Sequence, residues 1–524
     1  MDHEFWQLEA HAARCALRDD CGRSITYREL AALSDRFAAQ LKKPRALVLL
    51  QCHNSIECVA AYLGCLRHGH VPLLLAANLH EQLLATISAC YQPDYCYAPT
   101  QRTEPGHLPS YELTSYAPTA CATACAPAAA PTKGDRALHP DLALLLSTSG
   151  STGSPKLVRL SRTNLQSNAH DIAQYLELNA NERPITSLPL NYSYGLSVIN
   201  SHLLVGATIL LTDLSVTQAE FWDYFKQEQA SSLAGVPYTY QMLMRLRFTK
   251  MQLPSLKTLT QAGGHLDPDK VKTIAQALAP HGVRFFVMYG QTEATARMSY
   301  VPAAQLAHKP GSIGIAVPQG HFTLETDDGH EITTPHTTGV LVYRGPNVNL
   351  GYAHGRADLA VGDVNHGCLK TGDLAYFDED HYFYIVGRQS RFIKLTGLRY
   401  SLNDCEQILA QHGFNTICTG RDEQLCILLL SAAPAPAPAP DQAQGQAHDQ
   451  AQGQAHDQAS VPDQAPEHKQ EQEQTRVAQL KALVAATFHL HQSLYQIKCA
   501  PPEAVPRNEV GKVQYHELQQ KFFA

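Results

Sequence analysis

A chain of 524 residues exceeds one compact core, so two or more domains are expected. Hydrophobic residues make up 44% and charged residues 17%, with a formal net charge of -7. An acidic balance excludes a general nucleic-acid or anionic-membrane binder, whose footprint would be basic. The 14 cysteines contain no Cys-x-x-Cys pair and the 26 histidines no His-Glu-x-x-His spacing, which points to free thiols and away from a zinc hydrolase. The start Met1-Asp-His-Glu-Phe-Trp6 carries acids and no apolar signal-peptide core, and no stretch is long enough to span a membrane, so a cytoplasmic location is expected.

In chain order, 27–41 reads as an amphipathic helix, 46–51 as a short apolar strand, 56–67 as a helix and 71–75 as a strand. The alternation continues through a strand at 142–146, a helix near 165–176 and strands at 208–211, 285–288 and 340–343. Strands alternating with helices indicate a largely parallel α/β sheet. Two tracts break the rhythm. Residues 117–132 are rich in Ala, Pro and Thr and read as an irregular loop. Residues 432–474 hold an Ala-Pro run ending at Pro440, then Asp-Gln-Ala-Gln-Gly-Gln-Ala-His twice, at 441–448 and 449–456. An octapeptide without apolar positions cannot bury a core, so a disordered insertion is expected, with helix resuming over 475–494.

The strongest chemical signal is Leu144-Leu-Leu-Ser-Thr148-Ser149-Gly150-Ser151-Thr152-Gly153-Ser-Pro155-Lys156. An apolar strand enters a loop of hydroxyls and glycines closed by a lysine. Glycines let backbone N–H groups point at a phosphate, hydroxyls add donors, and Lys156 adds a mobile charge. A Walker loop needs Gly-Lys-Ser/Thr, whereas Lys156 follows Pro155, which disfavours a P-loop phosphotransferase. Further along stand Thr260-Gln-Ala-Gly263-Gly264-His265, Val287-Met-Tyr289-Gly290-Gln291-Thr292-Glu293, Lys370-Thr-Gly-Asp373, Gly387-Arg388-Gln-Ser390-Arg391 and Pro506-Arg507-Asn-Glu-Val-Gly511-Lys512. Tyr289 can stack on a base, Thr292 can donate to a phosphate, and Glu293 is a hard oxygen donor for Mg²⁺. Taken alone, Gly263-Gly264 is a turn, Asp373 a turn aspartate, His265 a surface residue and Lys512 a solvated lysine.

Together and in this order, these segments resemble the adenylate-forming (AMP-binding) superfamily of acyl- and aryl-CoA synthetases, peptide-synthetase adenylation domains and luciferases. The acyl-CoA synthetase type is the nearest. The resemblance covers nearly the whole chain outside the two low-complexity tracts. It implies a large N-terminal α/β domain over 1–386, with doubly wound sheets and a β-barrel-like part. A small mobile α+β lid would occupy 387–524 and carry the insertion at about 432–474. It also implies that Thr148, Ser149, Gly150, Ser151, Thr152, Gly153 and Lys156 cradle the phosphates of ATP, with Gly263 and Gly264 on the adenine side. Tyr289, Gly290, Gln291 and Thr292 would hold the nucleotide, Glu293 the Mg²⁺, and Asp373 and Arg388 the ribose. Lys512, with Thr292 and Glu293, would be catalytic. Ser390 would be the hinge, where the family usually has Asp or Lys. The Gly397 loop would line the thiol tunnel, and Glu406 would start the first C-terminal helix. Segments 309–314 and 345–352 match further family stretches and are read as architecture.

The implied activity is ATP-dependent conversion of a carboxylic acid to acyl-AMP with release of pyrophosphate, followed by acyl transfer to the thiol of CoA or of a carrier phosphopantetheine. Loading of an acyl or peptidyl carrier protein without CoA is an alternative. A non-catalytic nucleotide-binding protein is another, weakened by intact Lys156, Glu293 and Lys512. Tyr192 lies where acyl-CoA synthetases often carry His. The absence of an acid from Leu188 to Leu204 disfavours an α-amino acid. Tyr192, Ser193, Gly195, Val236 and Pro237 either wall the acyl pocket or serve packing.

Overall fold

The computed structural model describes residues 3–100, 110–116, 137–147, 156–326, 328–389, 391–395, 398–421, 423–430, 465–488, 490–507, 511 and 513–523. Thr148 to Gly153, Ser390, Gly397, Lys512 and most of the 432–474 tract lie outside these residues. The chain divides into two compact units: Met1–Val386 with Asn508–Lys512, and Gly387–Arg507 with Val513–Ala524.

The large unit is mixed α/β with three sheets. In the nine-stranded sheet, Arg284–Tyr289, Thr258–Gln261, Ser232–Gly235, Pro184–Ile185, Ile209–Leu211 and Cys15–Asp19 run parallel as neighbours. The seven-stranded sheet has Leu142–Ser147, Val71–Ala76, Leu47–Cys52 and Tyr95–Pro99 parallel at its centre. A five-stranded sheet holds His321–Glu325, Gly339–Arg344 and Cys368–Phe377 in antiparallel order. The central parallel strands are apolar without alternation because both faces are covered; every residue of Val71–Ala76 is buried.

Helix starts follow local chemistry. Thr26 and Glu29 form a reciprocal capping box for Tyr27–Ala38, Ser161 and Asn164 do the same for Arg162–Tyr175, and Pro237 and Pro268 open their helices. The helix Ser193–Leu204 is buried along its whole length, and even its polar Ser197, Asn200, Ser201 and His202 face protein. Truncating a core residue such as Leu49, 1% exposed, to Ala costs about 2–5 kcal/mol.

The small unit pairs Thr416–Arg421 with Gln424–Leu430 and Tyr495–Ala500 in a three-stranded sheet, beside a hairpin of Phe392–Leu395 and Leu398–Ser401. Two expectations need correction here. The helix expected over 475–494 runs over Ala465–Phe488. Its first ten residues belong to the tract read as disordered, but Glu and Gln, both good helix formers, make up most of this stretch. Glu406 sits inside the helix Leu402–Gln411 rather than at its start, and ties Arg391 to the backbone of Cys418 at 2.8 and 2.7 Å. Among the described residues no helix is long and apolar enough to cross a membrane.

Candidate active site

The site forms where parallel strands of the nine-stranded sheet end, the edge at which open α/β sheets place ligands. Arg284–Tyr289 delivers Tyr289 to that edge, and the chain turns at once. Gly290 is required there: a Cβ would stand 1.8 Å from the Ala296 carbonyl oxygen. A short turn of 3-10 helix, Thr292–Ala294, follows and ends at Thr295 with φ 65°. Asn347, in the turn that follows the strand Gly339–Arg344, fixes this turn. Its amide donates to the carbonyls of Ala294 and Arg297 at 3.0 and 3.1 Å, and its own carbonyl accepts from Thr295 Oγ1 at 2.7 Å.

Three predicted nucleotide residues meet on one carboxylate. Tyr289 donates its hydroxyl to Asp373 Oδ2 at 2.5 Å, and Gln291 Nε2 donates to the same oxygen at 3.0 Å. Gln291 also donates to the Thr371 carbonyl at 3.1 Å. Asp373 is 3% exposed and lies within the strand Cys368–Phe377, so the turn reading fails. The Thr-Gly-Asp signature nonetheless has a structural cause. Register with Gly339–Arg344 slips between Val340 and Val342, whose partners are Leu374 and Lys370, and Gly372 takes φ 74°. This bulge re-aims Asp373 toward Tyr289.

The acid and nucleotide segments also touch. Ser193 Oγ, in the first turn of the helix Ser193–Leu204, lies 3.1 Å from Thr292 Oγ1. Tyr192, just before that helix, is pressed against Gly263. Gly263 has φ 83°, and a Cβ there would meet the Tyr192 hydroxyl oxygen at 2.6 Å and Val236 at 3.1 Å. Burial pushes the Tyr192 phenol up to about 12, so it stays protonated at neutral pH. Gly264 packs against Pro237. Gly195 has a packing reason of its own, since a Cβ would stand 2.3 Å from the Pro189 carbonyl oxygen. Arg388 ends the strand Phe383–Arg388, exposed and within the second unit.

One residue that sequence reasoning left to architecture links two predicted groups. Tyr352 donates its hydroxyl to Glu293 Oε1 at 2.8 Å, while Lys156 Nζ sits 3.3 Å from the Tyr352 ring centre. The lysine expected to close a phosphate loop and the carboxylate expected to hold a metal thus share one aromatic seat. The hint in the sequence was an aromatic beside Gly351 in a segment of known family type. The contact itself joins positions some 200 residues apart. A carboxylate accepts at about four lone-pair sites and Tyr352 occupies one, so Glu293 can accept a cation as well. Among the described residues no group of three or more His, Cys, Asp or Glu forms a metal cage. Mg²⁺ is commonly held by one or two carboxylates plus substrate phosphates and water, so a single Glu293 fits.

Residues 5–353 match the family model for AMP-binding enzyme. The chain is 30% identical over 408 residues to the indoleacetate–CoA ligase of Aromatoleum aromaticum, covering 74% of this chain and 78% of the relative. It is 28% identical over 414 residues to the oxalate–CoA ligase of Arabidopsis thaliana, covering 74% and 79%. Among solved structures, the ATP-bound MatB of Rhodopseudomonas palustris aligns with TM-score 0.70 at 21% identity, over 99% of this chain and 98% of that one. The o-succinylbenzoate CoA synthetase of Bacillus subtilis, in complex with its acyl-adenylate intermediate, aligns with TM-score 0.68 at 20% identity, over 99% and 98%. The chain belongs to the AMP-binding, adenylate-forming enzyme family and is an ATP-dependent, AMP-forming acid–thiol ligase.

Proposed function

We propose that this chain makes the CoA thioester of an organic acid, with ATP and acid held by the large unit and residues from Gly387 onward serving as a mobile lid. CoA is favoured as acceptor because relatives such as the indoleacetate and oxalate enzymes are named CoA ligases. The observation that carries the reading is the 3.1 Å contact between Ser193 Oγ and Thr292 Oγ1, which sets the proposed acid segment beside the proposed α-phosphate donor.

An acid oxygen attacks the α-phosphorus of ATP, the bond to the bridging oxygen breaks, and pyrophosphate leaves. Two anions approach each other in this step, so donors must offset charge as it builds. The Thr292 hydroxyl, Lys156 with the loop at Thr148–Gly153, and Lys512 are assigned that task. Mg²⁺ would be held by Glu293 and would supply further charge neutralisation at the phosphates. Asp373, held by Tyr289 and Gln291, presents acceptors for the ribose hydroxyls, with Arg388 assigned to the same sugar. The Tyr289 ring and the Gly263–Gly264 turn are assigned to adenine. In the second step the CoA sulfur attacks the acyl carbon, the bond to AMP breaks, and the thiol proton passes to solvent. Lys512 serves only the first step, so rotation about Ser390 would withdraw it and present the Gly397 loop to the thiol. Acid-dependent ATP–pyrophosphate exchange, followed by CoA-dependent thioester formation, tests the scheme. Exchange without thioester formation would favour a carrier protein as acceptor.

A further inference from the structure

Near its start the small unit has a residue that three of its elements hold at once. Arg391 donates through Nη2 to Glu406 Oε1 at 2.8 Å and to the Cys418 carbonyl at 2.7 Å. Glu406 belongs to the helix Leu402–Gln411 and Cys418 to the strand Thr416–Arg421. The guanidinium carbon also lies 3.9 Å from the ring centre of Tyr515, which opens the helix Tyr515–Phe523. Glu406 Oε1 accepts from the Cys418 amide as well, at 2.7 Å. The Arg391 side chain is 14% exposed, so this ion pair is partly withdrawn from water.

The backbone on either side sets limits. The strand Phe383–Arg388 ends three residues earlier, and the Arg391 amide donates to the Arg388 carbonyl at 3.0 Å. From Phe392 the chain pairs in the hairpin with Leu398–Ser401, and the Leu402 amide donates to the Arg391 carbonyl at 2.9 Å. In sequence, only Gln389 and Ser390 stand between the end of that strand and Arg391.

The Arg391 side chain decides how far a rotation can spread along the chain. Each residue has two soft dihedrals. Turning about the N–Cα bond of Arg391 leaves its Cα, Cβ and carbonyl with the small unit and breaks none of these side-chain contacts. Turning about its Cα–C bond swings Cβ, and would pull the guanidinium from Glu406, Cys418 and Tyr515 together. Hydrogen bonds between charged groups are the stronger kind, and a partly buried carboxylate that loses its cation is destabilised. The ion pair therefore locks the second dihedral of Arg391 and leaves the first free.

We infer that Arg391 is a positioning residue that anchors the small unit's chain and confines the rotation between the two half-reactions to Gln389, Ser390 and its own N–Cα bond. This inference rests on the acid-ligase reading with a lid that turns near Ser390. Arg391 takes no part in bond making. A pivot with few free dihedrals returns a lid to two defined positions instead of a spread of them, and two reactions in one pocket require that precision.

The test follows both half-reactions in the full chain, with whichever acid of a fatty, aryl, hydroxy and amino acid panel the wild type turns over fastest. ATP–pyrophosphate exchange reads adenylation, and supplied acyl-AMP with CoA reads transfer. Ser390→Pro fixes φ at that position and biases Gln389 away from helical angles, so one half-reaction should fall at least about 100-fold while the other continues. Adding Arg391→Met with Glu406→Gln removes the anchor, leaves no buried charge unpaired and frees the Cα–C bond at that position. The lost step should then recover at least about tenfold, the scale of strain relieved at one backbone position. Adding Arg391→Lys instead, which keeps a charge beside Glu406 without the fork, should restore it only in part. With Ser390 intact, the anchor-free chain should run both half-reactions and keep its melting transition. No recovery on removing the anchor overturns the inference. Loss of both half-reactions in the anchor-free chain with Ser390 intact overturns it too, since that is the mark of a merely structural role. Unchanged kinetics in Ser390→Pro would place the turn elsewhere, overturning the inference and leaving the ligase reading intact. A wild-type chain with no acid-dependent exchange would overturn both.

Discussion

Acidification should expose His202 as an internal proton sensor of stability. Burial, and then the Arg297 charge, hold its pKa down to about 4 against an ordinary 6.5, with the Val198 carbonyl opposing. The folded state therefore keeps the ring neutral where the unfolded chain would charge it. For a depressed pKa the stabilisation is complete above 6.5 and is lost as pH falls toward 4. Between pH 7 and pH 5 the loss from this one group is about 2 kcal/mol, and over the whole window about 3 kcal/mol, at 1.36 kcal/mol per unit. Two other histidines, half-buried His11 and buried His70, are shifted the same way, so the wild-type curve alone does not isolate His202. Subtraction of the His202→Phe variant does. The chain's two tryptophans, Trp6 and Trp222, are both buried in the large unit, so guanidinium unfolding followed by their fluorescence reads that unit. The stability difference between wild type and variant should shift by about 2 kcal/mol against wild type from pH 7 to pH 5. A difference independent of pH would show that burial does not hold the His202 ring neutral.

Tyr352→Phe keeps the seat for Lys156 but removes the donor to Glu293, and Tyr352→Leu removes both. ATP-dependent kcat/KM should fall about three- to tenfold in the first and further in the second, and the Phe variant should need more Mg²⁺ for half-maximal rate. Asp373→Asn should raise the KM for ATP at least about tenfold with little change in the KM for acid, measured by steady-state pyrophosphate release. Tyr289→Phe should show the same pattern more weakly, since Gln291 still holds the carboxylate. Lys512→Ala should abolish pyrophosphate release yet still convert supplied acyl-AMP to thioester; equal loss of both half-reactions would contradict its assignment to adenylation.

Much of the scaffold was legible because parallel strands covered on both faces appear as unbroken apolar runs. Leu142–Ser147, Val71–Ala76 and Arg284–Tyr289 each lie within a residue or two of where those runs place them. The Tyr289–Glu293 block was legible as chemistry because strand, glycine turn, hydroxyl and carboxylate are contiguous. What escaped depends on long-range contact. Nothing near Tyr352 announces that it bridges Lys156 and Glu293, and nothing near Asn347 announces that it clamps the Thr292–Ala294 turn. Asp373 looked like a turn residue because a bulge at Gly372 borrows turn chemistry inside a strand. The helix from Ala465 was missed because a polar tract lacks the apolar period that marks an amphipathic helix, although its residues favour helix individually. Nothing in the sequence singles out Arg297 or His202; burial shows one with neutral partners only and the other with an orphan acceptor.

The central claim is that this chain joins an acid to a thiol through an acyl-adenylate, and the product of ATP tests it most directly. Purified protein with ATP, Mg²⁺, CoA and a panel of fatty, aryl, hydroxy and amino acids should release AMP and pyrophosphate in equal amounts. Release should depend strictly on an acid, with label exchange from pyrophosphate into ATP when CoA is omitted. Formation of ADP and phosphate in place of AMP, or AMP release indifferent to every acid, would contradict the account.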